Sequence, residues 1–334
     1  MTALAPDERL RRLVNAYQLS CAVQAAVAIG LGTRLRRGPV RVADLVADAG
    51  LDASVLHRLL AFLEALGLVE TSAEGVVVAT ASGAGLDALD NIVEGAEALK
   101  AWAAMTVALR GEGNAFEAAN GASFHDYAAR HPEKAARWAM RNGAIAGRRA
   151  AATVTALALR GDERIADLGA GGGALAAELV RRHPDMRPIL MDLPHMLPHL
   201  HADLSRLGVA GKVISLGGDL RTDPLPEADV YLFCRVLLNF DDDMVRHLLE
   251  RCRDRMTMSA RLVIVETLMP PPDAPDRLAH CAHDLHLLVM WGGRERSREA
   301  YARLLAETGL TLAGCKEVAV PGEAVWHLLT ARKD

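Results

Sequence analysis

Aromatic residues are scarce in this chain, only 4% of its 334 residues, and its five cysteines include no Cys-x-x-Cys pair. With few rings and alanine filling much of the apolar quota, the cores are expected to be rich in helix. Cys21, Cys234, Cys252, Cys281 and Cys315 are odd in number and scattered. That pattern excludes a disulfide framework and a thiolate zinc site, and it predicts a reduced, cytoplasmic location. No apolar run approaches the roughly 20 residues that a membrane-spanning helix needs. The best candidate, Cys21 to Leu31, is too short and is interrupted by Gln24, so it reads as a buried helix. Positive charge is not in excess either: the net charge is −4, which gives no general attraction to nucleic acid or anionic membrane. The start of the chain has no basic stretch followed by an apolar core and a small-residue cleavage site, so no leader is expected.

What the chain does have is Ile165-Ala-Asp-Leu-Gly-Ala-Gly-Gly-Gly-Ala174, a strand-to-helix turn crowded with glycine. Gly169, Gly171 and Gly173 can adopt backbone angles closed to other residues, and they leave room for a ligand against the main chain. Gly169-x-Gly171-x-x-Ala174 also fits a dinucleotide fingerprint. Acidic residues weigh against that reading. Asp167 stands beside the turn, Asp192 closes the next expected strand, and Gly218-Asp219 follows the third. A carboxylate next to the turn suits an ammonium better than a pyrophosphate. Asp192 could accept two ribose hydroxyls, and Asp219 could accept the exocyclic amine of adenine. The cofactor expected is therefore S-adenosyl-L-methionine (SAM), with S-adenosyl-L-homocysteine (SAH) as its product.

Upstream, residues 1–90 read as helices followed by a hairpin. Val42 to Ala49 and Ala53 to Leu66 are helical, with Asp52 as a cap, and Gly67–Thr71 and Val76–Thr80 form the two strands of a wing. A winged helix invites a DNA-binding hypothesis. Its second helix, however, offers only His57 and Arg58 amid leucines, too little for phosphate contacts. Residues 91–155 read as a helical connector carrying Trp102, Met105, Phe116, Phe124, Tyr127, Trp138 and Met140, mostly core-forming.

From Gly161 onward, strands alternate with helices. The expected strands are Ile165–Leu168, Ile189–Met191, Val213–Leu216, Val230–Cys234 and Leu262–Glu266, with later ones near Leu312–Val318 and Ala324–Ala331. That alternation predicts an α/β fold with a doubly wound, mainly parallel, Rossmann-like sheet over residues 156–334. Acids at successive strand ends match the rule that open sheets bind ligands there.

IADLGAGGG, MDLP, GGDL, YLFCRVLLNFDDD, LVIVETLMP and DLHLLVMWGGRERS occur in the order and spacing of a known family. The chain resembles the two-domain, SAM-dependent small-molecule O-methyltransferases of plant phenylpropanoid and bacterial antibiotic pathways. The resemblance implies a homodimer built on the winged-helix region, a small aromatic or polyketide-like acceptor, and no nucleic-acid or membrane partner. The candidate cofactor residues are Gly169, Gly171, Gly173, Asp192, Leu193, Gly218, Asp219, Leu220 and Cys234. The candidate acceptor-binding residues are Met140, Leu238, Asn239, Leu287 and Met290; Met140 matches a methionine that faces the acceptor in the family.

One departure stands out. Where the family carries a histidine as proton acceptor, in a pattern like VLHDW, this chain reads Val236-Leu-Leu238-Asn-Phe240. Leucine cannot accept a proton. The acids that orient that histidine in the family are kept as Glu266 and Glu295; each could pair with a nearby arginine, or be raised in pKa by burial and act as the base. His280, His283 and His286, three residues apart, offer a second solution, and His283 and His286 match positions that line the acceptor pocket. The catalytic candidates are thus His283, His286, Glu295 and Glu266. A metal on His283, His286 and an acid would lack a Cys partner and a clear fourth ligand, so none is expected. Relatives that methylate anthracyclines also carry leucine here. They leave open proton loss to solvent, C-methylation, or SAM-dependent hydroxylation, decarboxylation or pericyclic chemistry. His125, His195, His199 and His201 are expected in loops or exposed turns, without a role.

Overall fold

The computed structural model describes residues 6–86, 95–321 and 324–334. It divides into two compact units, Met1–Gly95 and Ala96–Asp334. The domain boundary expected at residue 90 lies outside the described residues.

In the first unit, helices precede a three-stranded antiparallel sheet of β1 (Val40–Arg41), β2 (Val69–Thr71) and β3 (Val76–Ala79), in the order β1-β3-β2. The two helices of the winged-helix motif run over Val42–Ala49 and Ala53–Ala65. The second starts where it does because the Asp52 carboxylate accepts from the Ser54 and Val55 amides at 2.8 and 3.0 Å. Leu56, Leu60 and Leu63, at helical spacing, are buried with Leu45, Val69 and Val77. The helices Pro6–Asn15 and Tyr17–Ala28 instead leave Leu10, Leu13, Val14 and Tyr17 at least 60% exposed.

The second unit holds a seven-stranded sheet: β4 (Ile165–Leu168), β5 (Ile189–Asp192), β6 (Ile214–Gly217), β7 (Val230–Cys234), β8 (Arg261–Glu266), β9 (Leu310–Val318) and β10 (Trp326–Lys333). Its order is β6-β5-β4-β7-β8-β10-β9, with β10 antiparallel to both neighbours and the first five strands parallel. Every side chain of β4 is buried, as a strand covered on both faces requires. One layer of core packs Ala166, Leu168 and Phe233 on the helices Asp242–Arg255 and Arg298–Glu307. The other packs Ile165, Leu232 and Val265 on the long helix Pro132–Leu157 and on Ala174–Arg182.

The chain leaves β4 toward β5 and β6, then returns to place β7 on β4's other side. That reversal opens a crevice outside the carboxyl ends of β4 and β7, where open α/β sheets bind their ligands. Register sets the rim: Leu168 pairs with Met191, Asp192 with Gly217, and Cys234 with Val265.

Candidate cofactor and acceptor site

Two glycines shape the turn between β4 and the helix Ala174–Arg182. Gly169 has φ +83°, and a Cβ there would lie 2.6 Å from Val236 Cγ2, so the loops after β4 and β7 meet only because the side chain is missing. Gly173 has φ +68° and its Cβ would lie 2.7 Å from Leu204 Cδ2.

Asp192 ties this turn to β5. Its Oδ2 accepts from the Gly171 amide and its Oδ1 from the Leu193 amide, both at 2.8 Å. Each oxygen keeps acceptor capacity for a ligand hydroxyl. Burial raises its pKa, against the lowering effect of those two amides. Asp167 is 2% exposed and its Oδ1 has no hydrogen-bond partner among the described residues. Burial, then the neighbouring charge of Asp192, pushes its carboxyl up to about 7. Because the folded protein holds the Asp167 proton more tightly than the unfolded chain, this residue favours folding at low pH. That advantage disappears as pH rises from about 4 through about 7. Asp167→Asn should therefore flatten the loss of stability between pH 5 and 8, gaining about 2 to 4 kcal/mol over the wild type at the upper end. Urea midpoints at both pH values measure this, and parallel curves for the two proteins would contradict it.

Asp219 differs from expectation. Arg221 donates through Nε at 2.9 and 3.0 Å and through Nη2 at 2.6 Å, so the carboxylate is already clamped. That hydrogen bonding keeps its pKa below the usual carboxylate range. An adenine amine would have to share this carboxylate with Arg221. Nearby, His125 lies on the helix Phe124–Arg130 rather than in a loop. Burial, then the charges of His195 and Arg221, lowers its pKa to about 4. His195 Nε2 is buried without a partner among the described residues, so neither ring is the exposed one that the sequence implied. Leu220 and Gly218 are buried at this edge, and Cys234 closes β7 with its thiol pushed up by burial.

Beyond β8, a second set of groups converges. Glu295 is buried, and its carboxylate accepts from His283 Nδ1 and His280 Nδ1, each at 2.6 Å, and from the Thr267 hydroxyl at 2.7 Å. Its amide donates to Asp284 Oδ1 at 2.7 Å. Burial alone would raise its pKa; the bonds from His283, His280 and Thr267 outweigh that and hold it below the ordinary value. Glu295 is thus an anion that orients rings, which corrects the reading of it as a proton acceptor raised by desolvation. It also pairs with neither Arg294 nor Arg296. Both guanidiniums reach Asp242, and Arg296 further caps the Leu237 and Phe240 carbonyls.

Glu266, 1% exposed, accepts from the Leu238 amide at 2.9 Å and from the Tyr301 hydroxyl, and no arginine bonds to it among the described residues. Burial raises its pKa. Leu238 is buried at 3%, between Glu266 and Gly293, whose missing Cβ leaves room for the Leu238 carbonyl. Asn239 Nδ2 reaches back to the Arg235 carbonyl at 3.5 Å.

The helix Arg277–Trp291 explains which histidines join. His280 and His283, one turn apart, both face Glu295, whereas His286 has moved round and accepts from Trp102 Nε1 at 3.2 Å. His286 therefore does not share an acid with His283. On the helix's inner face, Met290 has no accessible surface and packs with Phe116 and Phe124, and Leu287 is 1% exposed. Both belong to the core instead of lining open space. Met140, at 55% exposure, stands apart from this cluster.

One residue with nothing in its sequence context to single it out is Arg235. It follows β7 at φ +60°, a left-handed conformation costly for a side-chain-bearing residue. Its Nη2 lies 3.5 Å from His283 Nε2, and its guanidinium lies over the Trp326 ring. The only available signal was a cation immediately after an apolar strand.

An open, mainly parallel sheet with a glycine turn at its switch point, and carboxylates on successive strand ends, is the arrangement in which an enzyme binds a nucleoside cofactor. Residues 102–311 match the O-methyltransferase domain family, and residues 34–73 match the IclR helix-turn-helix domain. The chain belongs to the SAM-dependent O-methyltransferases, a family of secondary-metabolite enzymes, and its cofactor is SAM.

It is similar to the 3-amino-4-hydroxybenzoate 4-O-methyltransferase of Streptomyces cremeus, 31% identical over 92% of this chain and 87% of that one. It is also similar to the phenazine O-methyltransferase PhzM of Lysobacter antibioticus, at 28% identity over 91% of this chain and 90% of the relative. The solved structure of the mitomycin 7-O-methyltransferase MmcR superposes with a TM-score of 0.89 at 26% identity, covering 98% of each chain. Among the described residues no helix is long and apolar enough to cross a membrane.

Proposed function

We propose that this enzyme transfers a methyl group to an oxygen of a small aromatic or polyketide-like metabolite, with His283 replacing the family's usual proton acceptor. The observation that carries this reading is the 2.6 Å bond between Glu295 Oε1 and His283 Nδ1. An ionised Glu295 keeps the proton on Nδ1 and leaves the Nε2 lone pair available. That is the base-and-orienter arrangement of general base catalysis, supplied by the helix Arg277–Trp291 in place of the loop that bears Leu238.

The residues around the glycine turn fit the cofactor. The unpartnered, buried Asp167 Oδ1 suits a cationic amine, and Asp192 has capacity for two ribose hydroxyls. Two carboxylates here would repel a pyrophosphate. Gly169, Gly171 and Gly173 would give the ligand access to the main chain, with Leu193, Gly218, Leu220 and Cys234 around it, and Asp219 held by Arg221. SAM supplies an electrophilic methyl group on a sulfonium. The protein's part is to orient the acceptor oxygen in line with that methyl and to take the hydroxyl proton on His283 Nε2.

The homodimer is proposed on separate grounds. Leu10, Leu13, Val14 and Tyr17 form an exposed apolar stretch of the kind that a second copy covers. Residues 1–90 would then serve dimerisation, 91–155 the acceptor pocket and 156–334 the cofactor.

Leu238 favours one competing reading, in which SAM assists a reaction without giving up its methyl. Incubating the enzyme with methyl-labelled SAM and a set of hydroxylated aromatics separates the two. Label in the product supports methyl transfer. A product that requires SAM yet carries no label would overturn it.

A further inference from the structure

Two imidazoles share Glu295, and the proton-accepting role assigned to His283 uses only one of them. Glu295 Oε1 accepts from His283 Nδ1 at 2.6 Å and from the Thr267 hydroxyl at 2.7 Å. Its Oε2 accepts from His280 Nδ1 at 2.6 Å, the one hydrogen bond it receives among the described residues. The Glu295 side chain is 1% exposed, so an oxygen that loses its donor cannot turn to bulk water instead.

The helix Arg277–Trp291 places His280 for this contact. His280 lies three residues before His283, which brings both rings to the same acid. Its other nitrogen, Nε2, stands 3.5 Å from Oδ2 of Asp276, a side chain that is 63% exposed. With a carboxylate facing each nitrogen, the ring cannot flip without giving up both. The other titratable and charged groups around the pair are His327 of β10, whose charge and that of His280 oppose one another, Asp284, which accepts from the Glu295 amide, and Arg235 beyond His283.

Without His280, a buried carboxylate oxygen would stand unpaired beside an imidazole. An ionised oxygen there is costly, and the carboxyl relieves that cost by taking up a proton. The protonated acid can then donate to His283 Nδ1 where the anion accepted. Facing a donor, His283 carries its own proton on Nε2, the atom that has to be free.

We propose that His280 is a positioning residue of the reaction: its Nδ1 fixes Glu295 Oε2, and the carboxylate so fixed holds the His283 proton on Nδ1 and keeps Nε2 open. The inference rests on His283 being the proton acceptor, and its test reads the ring nitrogens directly, so that the two can fail separately.

Histidine isotopically labelled at both ring nitrogens is incorporated into wild type, His280→Asn, His280→Leu and His283→Ala, and each resonance is assigned by its loss from the matching variant. SAH binding by calorimetry shows that a variant has kept its fold. In wild type, once the pH is high enough for neutral rings, Nδ1 of both His280 and His283 should carry a proton and His283 Nε2 should not. His280→Leu should move the His283 proton to Nε2. With an acceptor found by the labelled-SAM assay, its kcat should fall by about 10- to 100-fold at neutral pH, and the deficit should shrink as rising pH ionises Glu295 again. His280→Asn, whose amide can donate to the same oxygen, should restore the wild-type tautomer and most of the rate. Wild-type nitrogens at His283 in His280→Leu, with His283→Ala inactive, would overturn this proposal alone. A wild-type rate from His283→Ala would defeat the base assignment and the catalytic use of His280 with it. Should His280→Leu not fold, wild type and His280→Asn decide: a His280 Nδ1 without a proton, or an asparagine variant whose His283 proton has moved to Nε2, would overturn the proposal.

Discussion

Replacing His283 with alanine is expected to lower kcat by about 10²- to 10⁴-fold, the range over which a positioned proton acceptor contributes, while SAH affinity stays as in the wild type. Charge and geometry act together here. Glu295 is held below the ordinary carboxylate range by bonds from His283, His280 and Thr267, so at neutral pH it accepts and does not donate. The imidazole proton then stays on Nδ1, and Nε2 is the atom that can receive a proton. Glu295→Gln should act through the same ring as a positioning change. An amide that presents its NH2 group to Nδ1 favours the opposite tautomer, so kcat should fall and the pH–rate profile should change while SAH binding holds. Single-turnover rates for the two variants check both statements. If His283→Ala turns over like the wild type, the proton leaves to solvent and the histidine is a bystander.

Asp192→Ala is expected to weaken SAH binding by about 1 to 3 kcal/mol, or roughly 5- to 150-fold. This carboxylate both anchors the Gly171 and Leu193 amides and keeps acceptor capacity for a ribose. Losing it removes the ligand contact and loosens the turn that faces the ligand. Asp192→Asn, which retains one acceptor oxygen, should fall between the two. Calorimetry on the three proteins measures the series, and an affinity that survives the alanine substitution would remove Asp192 from the site.

The strands of the sheet were legible because each is a short apolar run bounded by glycine, proline or an acid. Val230–Cys234 is found where the pattern put it, and Ile165–Leu168 likewise. The cap at Asp52 was legible because its chemistry is local. What stayed hidden depended on how elements rotate against one another. Spacing placed His280, His283 and His286 on one drifting face, but only tertiary packing decides that the first two reach Glu295 and the third reaches Trp102. The same rotation turns Met290 into the aromatic core and buries Leu287. Arg221 clamps Asp219 from only two residues away, yet nothing in the order of residues says that a side chain will fold back on its neighbour. Arg235 was hidden for a similar reason: a left-handed backbone at a non-glycine residue leaves no trace in composition or periodicity.

The proposed site has the turn after β4 holding the sugar and amino acid ends of the cofactor, with the acceptor oxygen between it and His283. A crystal structure with SAH is the measurement that decides this placement. The ribose hydroxyls should lie on Asp192, the amino group on Asp167, and the sulfur should face the side that Arg235 and His283 border. SAH bound elsewhere, or a saturated crystal with this crevice empty, would contradict it.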